Sequence, residues 1–306
     1  MAPLGIIAGL GDLPVAIAEN AIEEGQGAYV LRLKGFDDPA LARFPGEAIG
    51  LGEVGGILKK LKSAGCEEVV FAGIVKRPDF SNLKLDVKGV TLLPKVLSAA
   101  KKGDDALLRV LVNEFEKQGF KVLGSHEAHK QLLAPEGIIA GHQPTDEEFL
   151  DIEHAARVAS ATGALDIGQG SVVCNGLVLA VEAQEGTDAM LDRCAALPEE
   201  IRGSALRRKG VLVKRPKPAQ ELRIDLPTTG VSTVEKVAAA GLAGLAIEAG
   251  GALLLNRRKM IERAEELGVF IYGFTPEGYS EAEILHPGKG YWIRANNSGN
   301  IILTSD

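Results

Sequence analysis

A strand, a glycine turn and a helix follow one another at the start of the chain, and this unit constrains the fold more than any other feature. Leu4-Gly5-Ile6-Ile7-Ala8 is a short apolar run, followed by Gly9-Leu10-Gly11-Asp12-Leu13-Pro14. The spacing of Val15, Ile17, Ala18, Ala21 and Ile22 predicts a helix over 14–24. A second strand is expected at 28–33, a helix at 54–63 and a third strand at 68–73. This βαβαβ rhythm argues for a parallel sheet with helices packed on it. Ligands of such sheets sit beyond the carboxyl ends of the strands. Gly9, Gly11, Lys76 and Arg77 all fall at such ends. Glycine lets a phosphate approach the backbone, and the helix that follows offers unpaired N–H groups. The dinucleotide fingerprint has a third glycine where this chain has Pro14, a residue suited to the first turn of a helix. The pattern supports a βα phosphate turn and weakens an NAD site; a tight turn without a ligand is the plain alternative.

The length of 306 residues sets one large domain or two ordinary ones. A net charge of -7 argues against a nucleic-acid partner, for which a basic excess is the usual footprint. Cys66, Cys174 and Cys194 have neither metal-ligand spacing nor the even number of a disulfide framework, and they fit a reducing cytoplasm. The first residues lack the pattern of a signal peptide. No run reaches the roughly 20 apolar residues that span a bilayer, so any membrane contact is expected to be peripheral.

Further along, helices are expected at 92–100 and 106–117 and a strand at 120–123. Asp104 suits a helix cap and Asp105 the first turn, with a paired metal role as the sharper alternative. Ser125-His126-Glu127-Ala128-His129 is expected in a loop, and its spacing is not that of a zinc-binding helix. Residues 1–132 are expected to form a Rossmann-like domain. Residues 133–144, broken by Pro135, Gly137, Gly141 and Pro144, are expected to be a linker. A second α/β domain is expected over 145–273, opening on a helix capped by Thr145. Within it, Asn175-Gly176 between apolar runs signals a hairpin, and Thr187 or Asp188 suits a helix cap. Residues 274–306 look like an appended tail, with a hairpin around Asn296-Asn297-Ser298-Gly299-Asn300 and no function assigned.

One loop concentrates charge. After the apolar run 210–213 come Lys214, Arg215, Lys217 and Arg223, with Glu221 and Asp225 among them and Thr228-Thr229-Gly230 at the end. Prolines at 216, 218 and 227 oppose a long regular element. Clustered cations suit a phosphate ester, and an acid beside them suits a divalent cation or a water. A solvated connector is the plain alternative.

These motifs together resemble a known family. Ile7-Ala8-Gly9-Leu10-Gly11-Asp12-Leu13-Pro14, Gly103-Asp104-Asp105, Asp166-Ile167-Gly168-Gln169-Gly170-Ser171, Glu182-Ala183-Gln184-Glu185-Gly186-Thr187-Asp188 and Arg223-Ile224-Asp225-Leu226-Pro227 are similar to those of the LpxI-type UDP-2,3-diacylglucosamine pyrophosphatases of lipid A synthesis. The resemblance runs over about residues 3–273 and leaves the tail out. It implies a Mg²⁺-dependent hydrolase that cleaves the pyrophosphate of UDP-2,3-diacylglucosamine into UMP and 2,3-diacylglucosamine 1-phosphate (lipid X). It implies a cytoplasmic protein in peripheral contact with the inner membrane, and it leaves a homo-oligomer open. Asp225 is the acid expected to act in catalysis or as a metal ligand. Asp104 and Asp105 are further metal candidates by residue type. Lys214, Lys217 and Arg223, with Lys76 and Arg77, are expected to offset phosphate charge. Gly9, Gly11, Gln169, Gly170, Ser171, Thr187, Asp188, Thr228 and Thr229 are expected to meet the nucleotide or sugar. An NAD(P)-dependent oxidoreductase and a non-enzymatic nucleotide-lipid carrier are the competing readings.

Overall fold

The computed structural model describes residues 1–36, 38–76, 79–218, 223 and 226–275, with Ser81, Asp104 and Asp105 described by their backbone alone. Arg77, Asp225 and the expected hairpin of the tail lie outside the described residues. The first half runs β1 (Leu4–Ala8), α1 (Asp12–Glu23), β2 (Ala28–Leu33), β3 (Gly46–Ile49), α2 (Val54–Ser63), β4 (Glu68–Ala72), α3 (Val87–Ala100), α4 (Asp104–Lys117), β5 (Lys121–Leu123) and the single turn α5 (Ser125–Ala128). Its five strands form one parallel sheet in the order β3-β2-β1-β4-β5. The order reverses between β1 and β4, so their loops diverge from a common edge. Side chains alternate across a strand. Leu4, Ile6 and Ala8 therefore pack on one face with Ile17 and Ala21 of α1, while Ile7 joins Leu31, Leu58 and Leu92 on the other.

The second half runs β6 (Gly137–Ala140), α6 (Asp146–Ala164), β7 (Gly170–Cys174), β8 (Leu177–Val181), α7 (Gly186–Ala195), the short α8 (Glu199–Arg202), β9 (Val211–Lys214), β10 (Thr228–Thr229), α9 (Val231–Ala239), β11 (Gly244–Glu248), β12 (Leu253–Leu254), α10 (Arg257–Leu267) and β13 (Phe270–Phe274). Six strands form a mixed sheet in the order β6-β13-β11-β9-β7-β8, with β9, β11 and β13 parallel. Strands β10 and β12 pair separately. Thr145 and Glu148 close a capping box at the start of α6: the Thr145 hydroxyl accepts from Glu148 N and the Glu148 carboxylate accepts from Thr145 N. The Asn175-Gly176 turn has φ of 50° and 78°, the positive pair that a two-residue hairpin needs. Asp151 fixes that turn by accepting from both of its N–H groups at 2.8 and 2.7 Å.

Four expectations need correction. The segment 133–144, expected as a linker, carries β6, which pairs antiparallel with β13 at the edge of the second sheet. Ser125–Ala128 is one helical turn rather than loop. Helix α4 takes Gly103 as its cap, so Asp104 and Asp105 open the helix itself. Helix α7 takes Glu185 as its cap, so Thr187 and Asp188 lie in its first turn.

Candidate active site

At the reversal point of the first sheet the two loops are joined to each other. Leu10 N donates to Ile74 O at 3.0 Å, and Ile74 N donates to Leu10 O at 2.8 Å. A Cβ on Gly9 would fall 2.6 Å from the Ile74 carbonyl oxygen. This glycine is therefore required by the approach of the β4 loop. Gly11, with φ of 95°, then starts α1.

The second sheet brings separate motifs to one end. Strand β9 ends at Lys214, and Gly170 pairs directly with it. Ser171 pairs with Val181, which places Glu182 beside Gly170. A Cβ on Gly170 would fall 2.4 Å from Glu182 Oε2, so glycine here makes room for that carboxylate. Lys214 is only 3% exposed. Its ammonium donates to Thr187 Oγ1 at 2.9 Å and to Thr228 O at 3.2 Å. Thr187 passes its own proton to Glu182 Oε1 at 3.0 Å. The hydroxyl thus accepts from a cation and donates to an acid, which fixes its direction. Glu182 Oε2 and Gln169 Oε1 are buried without hydrogen-bond partners within the described structure. Buried polar atoms normally have partners, and such exceptions point to a missing ligand, ion or water. Arg215, next along, lies 3.0 Å from Glu248 at the end of β11. Burial raises the Glu248 carboxyl above its ordinary value, against the pull of Arg215.

Contacts between the halves place this end opposite the first sheet. Arg223 Nη1 donates to Glu116 Oε1 on α4 at 2.6 Å. Asn256 Nδ2 donates to Asp12 Oδ2 in the first turn of α1 at 3.2 Å. Lys217 holds Asp166 at 2.7 Å, and a Cβ on Gly103 would fall 2.4 Å from the other oxygen of Asp166. The start of α4 therefore abuts the 166–171 turn. Leu226 and Leu253 from the second half join the core beneath β1.

Between the halves lies a cavity of about 780 Å³. Gly11, Asp12 and Gly73 line it from the first sheet, and Asp188, Thr228, Thr229, Gly230 and Asn256 from the second half. It extends among Leu33, Phe71, Leu92, Val96, Leu111 and Phe115, under α3 and α4. One space is thus polar where the strand-end turns meet it and apolar deeper in the first half. This is the usual make-up of a small-molecule site.

Gly11, Asp188, Thr228 and Thr229 line the cavity, and Lys214 and Thr187 stand directly behind Thr228 and Asp188. All four hydroxyls expected at the ligand donate to protein groups: Ser171 Oγ to Ala155 O at 2.7 Å, Thr187 Oγ1 to Glu182 Oε1 at 3.0 Å, Thr228 Oγ1 to Leu226 O at 3.1 Å and Thr229 Oγ1 to Leu253 O at 3.3 Å. Lys76 is exposed and is not among the residues lining the cavity. Arg223 joins the halves through Glu116, while Lys217 pairs with Asp166 inside the second half. Among the described residues, no three His, Cys, Asp or Glu side chains converge as a metal site. Sequence reasoning missed Glu182 as a site residue and did not locate the apolar space. The first was legible only as one letter of a motif, and the second is a property of packing alone.

The fold defines an α/β protein of two halves, each built on a large sheet, with a cavity between them. The chain belongs to the LpxI family: residues 3–132 match the LpxI N-terminal domain and residues 135–272 the LpxI C-terminal domain. It is 53% identical over 277 residues to the protein named UDP-2,3-diacylglucosamine pyrophosphatase LpxI of Caulobacter vibrioides (strain ATCC 19089 / CIP 103742 / CB 15), covering 90% of this chain and 99% of that one. A solved structure of CobK precorrin-6A reductase covers 90% of each chain at 13% identity and a TM-score of 0.30, a likeness too distant to carry an argument.

Proposed function

We propose that the protein hydrolyses the pyrophosphate of UDP-2,3-diacylglucosamine to UMP and 2,3-diacylglucosamine 1-phosphate, a step of lipid A synthesis. The observation that carries this reading is one continuous cavity, apolar beneath α3 and α4 and polar where it meets Thr228 and Asp188, with the buried Lys214 behind them. A diacylated sugar nucleotide has the same division: two apolar chains and a concentrated negative charge. The Caulobacter relative supports the substrate by its name.

Hydrolysis requires a water to form a bond to one phosphorus while the bond from that phosphorus to the bridging oxygen breaks. The bridging oxygen keeps the electron pair and leaves with the other phosphate. The attacking water gives up a proton. Positive charge placed where negative charge accumulates lowers that barrier, and more so away from bulk water. Lys214 supplies such a charge, held in place by Thr187 and Glu182. Asp225 is proposed to orient the water or to hold a cation.

A Mg²⁺ ion is part of the proposal. It prefers oxygen ligands and commonly takes one or two carboxylates plus substrate phosphates. Asp225, Asp104 and Asp105 are its proposed ligands, and the partnerless oxygens of Glu182 and Gln169 have the donor chemistry that suits such an ion nearby. When bound, it would offset phosphate charge.

The test is UMP release from UDP-2,3-diacylglucosamine by the wild type and by Asp225→Ala, each with magnesium and with chelator. The expected result is magnesium-dependent release in the wild type and a loss on the order of 100-fold in the variant. Lipid bound without turnover in the wild type would establish the carrier instead. Saturable NAD(P) binding with hydride transfer, and no UMP release, would establish the oxidoreductase.

A further inference from the structure

Helix α3 is apolar on two sides. Its inner side, with Leu92, Leu93 and Val96, walls the cavity. Its outer side carries Val87, Val90 and Leu97 at 84%, 55% and 39% exposure, with Pro94 exposed between them. Positions 87, 90, 94 and 97 follow the helical repeat and form one stripe. A helix packed on a water-soluble protein normally turns polar residues outward. The charge around this stripe is equally unusual. In a chain of net charge -7, residues 84–102 hold Lys84, Lys88, Lys95, Lys101 and Lys102 against the one acid Asp86. That acid is engaged locally, accepting from Gly56 N and Gly89 N. Lys88 is paired with Glu114, and Lys84, Lys95, Lys101 and Lys102 are exposed.

We propose that the outer face of α3 seats the protein on an anionic lipid bilayer, with the helix lying in the headgroup plane. An apolar stripe flanked by lysines has the composition of a helix that lies in an interface. Each lysine near an anionic leaflet adds to the attraction. The local charge also discriminates between occupants. A second copy placed across a two-fold axis would set the lysine-rich stretch against itself, a repulsion that an anionic bilayer converts into attraction. The inner side of the same helix walls the acyl space of the proposed reaction, so the bilayer would lie roughly one helix diameter, ~10 Å, from that space. The docking surface does not depend on the reaction, because vesicle binding is measured without turnover.

The experiment is co-sedimentation of the full chain with vesicles of phosphatidylcholine alone or with about a third phosphatidylglycerol, at low salt and at about 0.5 M salt, where surface charges are largely screened. The variants are Val90→Asp with Leu97→Asp, and Lys95→Glu with Lys102→Glu; none of these residues lines the cavity. The wild type should prefer the anionic vesicles by at least about tenfold and release them in salt. Each double variant should bind at least about tenfold more weakly, with an unchanged melting temperature and unchanged UMP release from a soluble short-chain substrate. Wild-type protein that ignores anionic vesicles, or variants that bind as wild type does, would overturn the proposal. So would a wild-type mass twice that of the Val90→Asp, Leu97→Asp variant, which would assign the face to a second copy. Vesicle binding without UMP release would leave the surface standing and sink the reaction.

Discussion

Lys214 owes its place to two strands and a turn. Strand β9 ends on it, Thr187 accepts one of its protons, and Thr228 O accepts another. Lys214→Met keeps much of the stem and removes the charge. Single-turnover UMP release is expected to fall on the order of 100-fold with little change in substrate affinity. A loss confined to affinity would make Lys214 a binding group only. The three cysteines lead to a different prediction. All are buried and free, and burial pushes the thiols of Cys66 and Cys194 up to about 11. Near pH 8 they stay protonated, and the thiolate is the reactive form. A thiol reagent should label the native protein slowly and all three cysteines at once on unfolding; fast labelling of the folded chain would contradict the packing. Residue types alone foretold part of this. The sequence marked Thr187, Ser171 and Thr229 alike as ligand donors, yet Ser171 and Thr229 donate to backbone carbonyls. Those two carbonyls lie 16 and 24 residues away in the chain, which no local pattern encodes, and Thr187 donates to Glu182.

Elements were more legible than their boundaries. The parallel sheet, the Asn175-Gly176 hairpin and the Thr145 cap follow from short apolar runs alternating with helical patterns, a turn that needs positive φ and a capping oxygen. Strand β6 was hidden because its run is four residues long, lies between Pro135 and Gly141, and finds its partner β13 more than 120 residues later. The caps of α4 and α7 were missed for another reason: the chain enters each helix one or more residues before the side chain best suited to cap it. The β1 turn was read as a phosphate loop, and Gly9 proves to accommodate Ile74. Gly9→Ala should therefore lower stability by about 1–3 kcal/mol, the usual cost of forcing atoms into filled space, read as a lower midpoint in urea. An unchanged midpoint would mean that the β4 loop is free to move away. At the cap of α6, Thr145→Ala should cost about 1 kcal/mol by the same measurement.

The whole molecule is organised by how two sheet ends share one space. Arg223 to Glu116 and Asn256 to Asp12 hold the halves together around the cavity, with Asp166 set against Gly103. Neither hydrogen bond could be read from spacing, since the partners are 107 and 244 residues apart. The family motifs named the residues, and the fold shows why several occur together: they line or brace the same interior. The proposed function requires this interior to take the acyl chains while the polar turns take the pyrophosphate. Val96→Trp fills the apolar part from α3. The measurement is single-turnover hydrolysis by wild type and Val96→Trp, with long-chain and short-chain forms of UDP-2,3-diacylglucosamine. Excluding two or three methylenes at roughly 0.8 kcal/mol each predicts at least about a tenfold loss for the long-chain form, with the short-chain form little affected. Equal rates for both enzymes on both substrates would place the acyl chains elsewhere and contradict the account.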